Sequence, residues 1–93
     1  MVRHYIIKGR VQGVGFRWFV HREAGVRGLK GWVRNTDGGE VEVMVAGSEE
    51  KLDELRAELE RGSRGSRVDA VYGRDLEEAA AQNLESFQIE GAW

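Results

Sequence analysis

The stretch Gly9-Arg10-Val11-Gln12-Gly13-Val14-Gly15-Phe16-Arg17 decides how this chain folds. It follows the β-rich residues 4–8 and leads into residues 16–27, where apolar side chains recur every three or four positions. The stretch is therefore predicted to turn a strand into a helix. Its three glycines give the backbone conformations that a Cβ would forbid, and let it pass close to a ligand.

A helix that begins at this turn favours an anion. Its first N–H groups have no partner within the helix, and the helix dipole adds positive charge at the same place, which suits a phosphate. Arg17 adds a planar guanidinium whose donors match two phosphate oxygens. From spacing alone, a plain strand-to-helix turn without a ligand stays an open alternative. The dinucleotide-binding fingerprint needs a third glycine where Trp18 stands, and no Gly-Lys-Ser/Thr of a P-loop follows.

Length and composition predict one domain over residues 1–93, with a core large enough to fold without cross-links. The chain has no cysteine, which excludes disulfides and thiol chemistry and is compatible with a reducing compartment. No apolar run approaches the roughly 20 residues of a membrane span, and the N-terminus lacks the apolar block of a signal peptide. We therefore expect a cytoplasmic protein that does not bind a membrane.

The net charge of −2 conceals an uneven distribution. Residues 1–35 hold eight Lys/Arg and one acid, or +7, whereas residues 36–93 hold six Lys/Arg and fifteen Asp/Glu, or −9. Basic charge thus collects in the part of the chain that contains the glycine turn. This distribution suits a small anionic ligand better than a nucleic acid, which usually requires a strongly basic domain.

The order of predicted elements indicates a ferredoxin-like α/β sandwich. Strands are predicted at residues 4–8, 32–35, 40–46, 68–72 and 87–89. A first helix covers residues 16–27, and a second lies between a cap at Ser48 and Gly62. The resulting βαββαβ order, with the final strand brought in late, places two helices on one face of a mostly antiparallel sheet of four to five strands.

Several local features follow from the same patterns. Asp37-Gly38 predicts a hairpin turn with positive φ angles, and the strand at 41–46 or the last strand is expected at an edge of the sheet. A capping box at residues 75–78 predicts a helical turn. Trp18 and Trp32 are interpreted as packing residues. His4 and His21 have no acidic or histidine partner at ligand spacing, so no metal site is predicted.

Asn35 is a second candidate functional residue. It ends a strand just before the hairpin, and its amide can both donate and accept a hydrogen bond. An asparagine placed there only for its turn propensity is the alternative.

Two segments together resemble a known family. Lys8-Gly9-Arg10-Val11-Gln12-Gly13-Val14-Gly15-Phe16-Arg17, followed by Gly31-Trp32-Val33-Arg34-Asn35, is similar to the pair of signature segments of the acylphosphatases. Gly62-Ser63 with Ser66-Arg67-Val68, and the terminal Phe87-Gln88-Ile89, also fall where that family has counterparts. The resemblance covers nearly the whole chain. Arg27 differs from the family pattern, since members usually carry an apolar residue at this position. We therefore expect the end of the first helix to fray early, or Val26 to pack in place of that apolar residue.

The resemblance implies hydrolysis of the carboxyl–phosphate bond of a small acyl phosphate, giving a carboxylate and inorganic phosphate without a metal or other cofactor. It implies that Asn35 holds the attacking water and that Thr36 supports the water network. It also implies a phosphate site made of the Arg17 guanidinium and the backbone N–H groups of Gln12, Gly13, Val14, Gly15 and Phe16. We expect the protein to act as a monomer.

Other functions remain as alternatives. One is a non-catalytic phosphate sensor, or a module of a larger carbamoyl-transfer protein. Another is single-stranded RNA binding on the sheet, which requires an RNP-type aromatic run. Gly15-Phe16-Arg17-Trp18-Phe19 only partly fits such a run, and the acidic second half of the chain opposes it.

Overall fold

The computed structural model of the protein describes residues 1–91. In chain order the elements are β1 (Val2–Arg10), α1 (Phe16–Val26), β2 (Lys30–Asn35), β3 (Val41–Ala46), α2 (Glu49–Arg61), β4 (Arg67–Leu76) and β5 (Phe87–Ile89). A short 3₁₀ helix, Glu78–Ala81, lies between the last two strands. The predicted βαββαβ order with a late fifth strand is confirmed.

The strands form one five-stranded sheet in the order β4-β1-β3-β2-β5. Only β2 and β5 pair in parallel, and the other neighbours are antiparallel. This is the predicted ferredoxin-like arrangement. The edges are β4 and β5, so the expectation of an edge is confirmed for the last strand and wrong for residues 41–46. There, β3 is hydrogen-bonded on both sides, by β1 and β2.

The hydrophobic core lies between one face of the sheet and the two helices. Alternate residues of β1 and β3 face it, as a strand with one buried face requires. Both helices turn apolar side chains towards it, and Phe19 is only partly buried at the margin of the core. The buried residues from the strands and helices include Tyr5, Ile7, Val33, Val41, Val43, Val45, Phe16, Val20, Ala24, Leu52, Leu55 and Leu59.

The end of α1 differs from both expectations for it. The helix continues to Val26 without early fraying, and the Val26 side chain is 73% exposed rather than packed. Arg27 is tolerated at the helix end because its guanidinium forms an ion pair with Glu23, one turn earlier, at 2.9 Å. Gly28 then adopts the left-handed conformation with φ 67°, which is common directly after a helix.

The second helix has the ends that the sequence predicts. The Oγ of Ser48 accepts a hydrogen bond of 3.2 Å from the N–H of Lys51, and Gly62 follows the last helical residue.

Neither α1 nor α2, the α-helices of residues 1–91, combines the length and the hydropathy needed to cross a membrane.

The turn between β2 and β3 is a hairpin, but its positive φ angle is not at the predicted residues. The N–H of Gly39 donates to the carbonyl of Thr36 at 3.2 Å, and the N–H of Thr36 donates to that of Glu40 at 2.9 Å. Gly39 has φ 89°, whereas Asp37 and Gly38 keep negative or extended angles. This is the three-residue hairpin in which an ordinary turn is followed by one left-handed glycine.

The fourth strand extends well beyond the predicted residues 68–72. Because β1 pairs with β4 along its whole length, Asp75 lies opposite Arg3 and accepts a hydrogen bond of 2.8 Å from its Nε. Residues 75 and 76 therefore belong to a strand, and the capping box predicted at 75–78 is wrong. The helical turn itself exists, as the 3₁₀ helix that begins at Glu78.

On the face of the sheet that the helices leave open, one carboxylate joins three strands. Glu42 of β3 lies 2.6 Å from Nε2 of His4 in β1 and accepts a hydrogen bond of 2.7 Å from Nε of Arg34 in β2. The sequence analysis found no acidic partner for His4, because the pair is formed only by strand register. Burial alone would raise the pKa of Glu42, but the hydrogen bonds from His4 and Arg34 outweigh it and lower that pKa below its usual value.

This cluster predicts a pH-dependent contribution to stability. A carboxylate with a lowered pKa stabilises the fold above its unfolded-state pKa, and that contribution is lost as the pH falls through the folded-state pKa. Glu42→Gln should therefore lower the free energy of unfolding by about 1–2 kcal/mol at pH 7, and the difference from the original protein should shrink towards pH 3. Urea unfolding at both pH values measures it. Glu60→Gln, at an exposed helix position, is the matched control, and an equal loss there would contradict the prediction.

Candidate active site

The loop between β1 and α1 is held in its shape by two glycines. Gly13 has φ 73° and Gly15, the residue before the first helical turn, has φ 75°, a left-handed region that disfavours side chains. Nothing lies within 4 Å of a Cβ built on either residue, so conformation and not space requires glycine there. Gly9, which the sequence analysis counted in the turn, lies within β1 opposite Val68.

The backbone of this loop keeps donors available. Among residues 1–91, nothing accepts a hydrogen bond from the N–H groups of residues 12–15. Gly15 has no side chain that could cap α1, and the first backbone bond of the helix runs from Phe19 to the Gly15 carbonyl at 3.1 Å. The loop and the first turn of α1 therefore present a group of amide donors beside the positive end of the helix dipole.

A pocket of about 250 Å³ lies against this loop and brings together residues distant in sequence. Arg17, from the first turn of α1, and Asn35, the last residue of β2, both line it. Of the other predicted site residues, Gly13, Gly15 and Phe16 line this pocket, whereas Gln12, Val14 and Thr36 do not.

Trp18 lines the pocket as well, and its side chain is 54% exposed. The interpretation of Trp18 as a packing residue is therefore wrong. It lies on the side of α1 that faces away from the sheet, whereas Phe16 and Val20 supply the buried side. A helical aromatic residue one position away from the apolar stripe is the only signal in the sequence that could have indicated this.

The guanidinium of Arg17 is anchored to the last strand. Its Nη1 donates a hydrogen bond of 3.1 Å to the carbonyl of Glu90, directly after β5. The Arg17 side chain is half-buried, so this bond fixes the direction of the guanidinium at the pocket. No local pattern predicts this hydrogen bond, because 73 positions separate the two residues.

The amide of Asn35 has a buried oxygen with no hydrogen-bond partner among residues 1–91. Leaving a buried polar atom unsatisfied costs about 1–3 kcal/mol, and native proteins rarely do so without a reason. Asn35 is also one of the residues that line the pocket. The turn-propensity alternative does not account for such an atom.

The side chain of Gln12 joins the loop to the β2–β3 turn. Its Nε2 donates to the carbonyls of Thr36 and Glu40, at 2.9 and 2.7 Å. Only the backbone of Gln12 was predicted to belong to the site, because its side-chain contacts depend on strand order, which no local pattern specifies. The two bonds hold the turn that follows Asn35 against the loop that carries the amide donors.

Thr36 contributes to the turn rather than to the pocket lining. Its Oγ1 accepts a hydrogen bond of 3.2 Å from the N–H of Glu40 and lies 3.4 Å from the carbonyl oxygen of that residue.

Within residues 1–91, His, Cys, Asp and Glu side chains form no group of three or more that could hold a metal ion.

Comparison with known proteins identifies the family. The acylphosphatase family model matches residues 3–89. The chain belongs to the acylphosphatase family. An acylphosphatase of Koribacter versatilis is 54% identical over 92 residues, covering 98% of this chain and 81% of that protein. The activity of this acylphosphatase is accordingly the hydrolysis of acyl phosphates, and its substrate is a small molecule.

Solved structures agree with this assignment. The crystal structure of the acylphosphatase from Bacillus subtilis superposes with a TM-score of 0.83 at 38% identity, covering 98% of this chain and 100% of that one. A crystal structure of full-length HypF in a phosphate- and nucleotide-bound form gives a TM-score of 0.83 at 30% identity. The match covers 97% of this acylphosphatase but 12% of that chain, so the same fold also occurs as one part of a longer protein.

Replacement of one loop glycine should separate backbone strain from ordinary surface effects. Gly15→Ala forces a Cβ into a left-handed conformation and should lower the free energy of unfolding by about 1–2 kcal/mol, and it should weaken inhibition by inorganic phosphate. The matched control is Gly25→Ala within α1, where nothing lies within 4 Å and φ is not positive. That change should stabilise the protein by about 0.5–1 kcal/mol. Urea unfolding and phosphate inhibition measure both, and equal effects of the two changes would contradict the assigned role of Gly15.

Proposed function

We propose that this acylphosphatase binds the phosphoryl group of its substrate with Arg17 and the backbone N–H groups of residues 12–16, while Asn35 orients the attacking water. The observation that carries the proposal is the unpartnered, buried Asn35 oxygen in the same pocket as Arg17. An amide oxygen accepts a hydrogen bond from water and turns a lone pair of that water towards the phosphorus. A guanidinium beside the loop amides supplies donors for the phosphoryl oxygens.

The reaction requires little more than these groups. The water oxygen forms a bond to phosphorus, the bond between phosphorus and the bridging oxygen breaks, and the carboxylate leaves with the bonding electrons. A carboxylate is a good leaving group, so no strong general acid is needed. Phosphoryl transfer depends mainly on positioning and on stabilising charge on the equatorial oxygens, which fixed donors supply.

The proton of the water goes to the substrate in this proposal. Among residues 1–91, those that line the pocket include no Asp, Glu or His that could act as a general base. A phosphoryl oxygen of the substrate accepts the proton instead and carries it away with inorganic phosphate. The protein then contributes orientation and charge rather than proton transfer.

Gln12 and Thr36 have an indirect role in this proposal, because they position other residues of the site. Gln12 positions the β2–β3 turn by its two hydrogen bonds, and Thr36 keeps the turn in shape by bonding Glu40. Both hold Asn35 at a constant distance from the loop donors. Their removal would change the alignment of water and phosphorus rather than the number of donors.

The alternatives receive less support from the geometry. A phosphate sensor needs the anion donors, but it gives no use to the buried Asn35 oxygen, which repels an anion. RNA binding needs open aromatic residues on the sheet, whereas the ring of Trp32 is covered by the guanidinium of Arg34 at 4.5 Å. We propose that no nucleic acid binds and that the protein acts as a monomer, because one chain supplies every residue of the proposed site. A cytoplasmic location stays a prediction.

Removal of the Asn35 amide tests the assignment of the water. Asn35→Ala should lower kcat by at least the roughly 10²–10³-fold typical of one lost transition-state contact, with little change in competitive inhibition by inorganic phosphate. Hydrolysis of benzoyl phosphate, with and without EDTA, gives kcat. The loss of benzoyl phosphate in the presence of added inorganic phosphate gives the strength of the competitive inhibition. Asn83→Ala, at an exposed asparagine, is the control and should change neither. Near-normal turnover of Asn35→Ala would refute the assignment.

Removal of the Arg17 guanidinium should have a different signature. Arg17→Gln should weaken phosphate inhibition and lower kcat/KM by at least about 10²–10³-fold, because the group binds the anion as well as the transition state. Arg10→Gln removes an exposed arginine near the same loop and should stay within about threefold of the original protein, since exposed charges are screened. A similar loss in both variants would show that the general positive field, and not contact by Arg17, binds the phosphate.

A further inference from the structure

We propose that a second groove beside the pocket receives the acyl part of the substrate and favours acyl groups that carry a second negative charge. This inference rests on the proposed binding of the phosphoryl group in the first pocket. The groove, here called the acyl groove, has a volume of about 620 Å³. Its defining residues are Gly15, Trp18, Arg22, Arg61, Ser63 and Arg64, from the first turns of α1 and the segment that ends α2.

The acyl groove is adjacent to the phosphate pocket. Gly15 and Trp18 line both of them. A molecule whose phosphoryl group occupies the pocket can therefore extend into the groove past these two residues. The acyl group is the part of an acyl phosphate that extends from the bridging oxygen, so it is the part that would lie there.

One side of the groove is apolar. Trp18 and the half-buried Phe19 provide aromatic surface, and the guanidinium of Arg22 lies 6.0 Å from the Phe19 ring centre. Aromatic rings offer a large apolar area with few rotatable bonds, which suits the carbon skeleton of an acyl group. The contact with Phe19 also restricts where the Arg22 charge can be.

The charged residues of the groove are basic. Arg22, Arg61 and Arg64 line it, and no Asp or Glu of residues 1–91 does so. Arg22 has a loose ion pair with Glu23 at 3.4 Å, and Arg61 has a close one with Glu58 at 2.7 Å. Arg64 has no ion-pair partner within the described part of the chain, and it therefore supplies the uncompensated positive charge of the groove.

A buried hydroxyl adds a second polar group. Ser63, which lines the groove between Arg61 and Arg64 in sequence, has an Oγ that is buried and has no hydrogen-bond partner among residues 1–91. A hydroxyl can donate to a carboxylate, and arginine donors match its two oxygens. Apolar surface next to the pocket, followed by arginines and a hydroxyl, thus suits an acyl chain that ends in an anionic group.

Two rigid substrates of equal size test the inference. These are 4-carboxybenzoyl phosphate and its neutral analogue 4-carbamoylbenzoyl phosphate, compared by the ratio of their kcat/KM values. The ratio should favour the carboxylate in the original protein and fall with added NaCl, because salt screens exposed charges. Arg64→Gln should lower the ratio by about twofold to fivefold, the range for one exposed ion pair, and Arg64→Glu should lower it further.

The control and the outcomes distinguish the two proposals. Arg74→Gln removes an exposed arginine beside His4 and Tyr72, on the open face of the sheet, and should leave the ratio unchanged. No preference for the carboxylate, an unchanged ratio in Arg64→Gln, or an equal fall in Arg74→Gln would overturn the acyl groove. Full turnover of both substrates by Asn35→Ala would instead overturn the proposed catalytic site on which the groove depends.

Discussion

Two hydrogen bonds from one side chain connect the halves of the proposed site. Nε2 of Gln12 donates to the carbonyls of Thr36 and Glu40, so the loop of amide donors and the turn beside Asn35 are held as one unit. Each half also has contacts of its own, since glycine angles shape the loop and backbone hydrogen bonds close the hairpin. Catalysis by positioning needs more than two well-formed halves, because a misplacement of about 1 Å can cost 10²-fold in rate. The Gln12 bonds supply that alignment.

The site also shows why so few side chains are required. In the proposed site, the left-handed angles of Gly13 and Gly15 let the backbone itself bind the anion, and the start of α1 adds the dipole. Backbone amides fixed by a helix and a strand need no reorganisation when charge develops on the phosphoryl oxygens. In the same proposal, Arg17 adds charge and Asn35 orients the water. The weak bond of a mixed anhydride makes this set sufficient, which agrees with a pocket lined by no acid or base within residues 1–91.

Patterns among neighbouring residues predicted most helices, strands and turns. The features that they did not predict depend on pairing between strands that are distant in sequence. The glycine turn, the Ser48 cap and the alternating valines of β3 depend on near neighbours, so the sequence revealed them. The length of β4 depends on its pairing with β1, which drew Asp75 into a strand instead of a helix cap. The contacts of His4 with Glu42 and of Gln12 with Thr36 depend on strand order, which no local pattern specifies. Arg17 and Asn35 were candidates from the residues alone and received their roles from the resemblance, whereas the contacts of Arg17 with Glu90 and of Gln12 with the turn after Asn35 were visible only in three dimensions.

The hydrogen bond from Arg17 to the carbonyl of Glu90 connects the first turn of α1 to the residue that follows β5. The final strand, with only three residues, is the shortest in the sheet, and it joins the sheet through one neighbour, β2. A substitution that weakens the pairing of β5 with β2 would therefore disturb the Arg17 guanidinium as well, although the substituted residue need not line the pocket. The shortest strand of the sheet is thus part of the support of the proposed site.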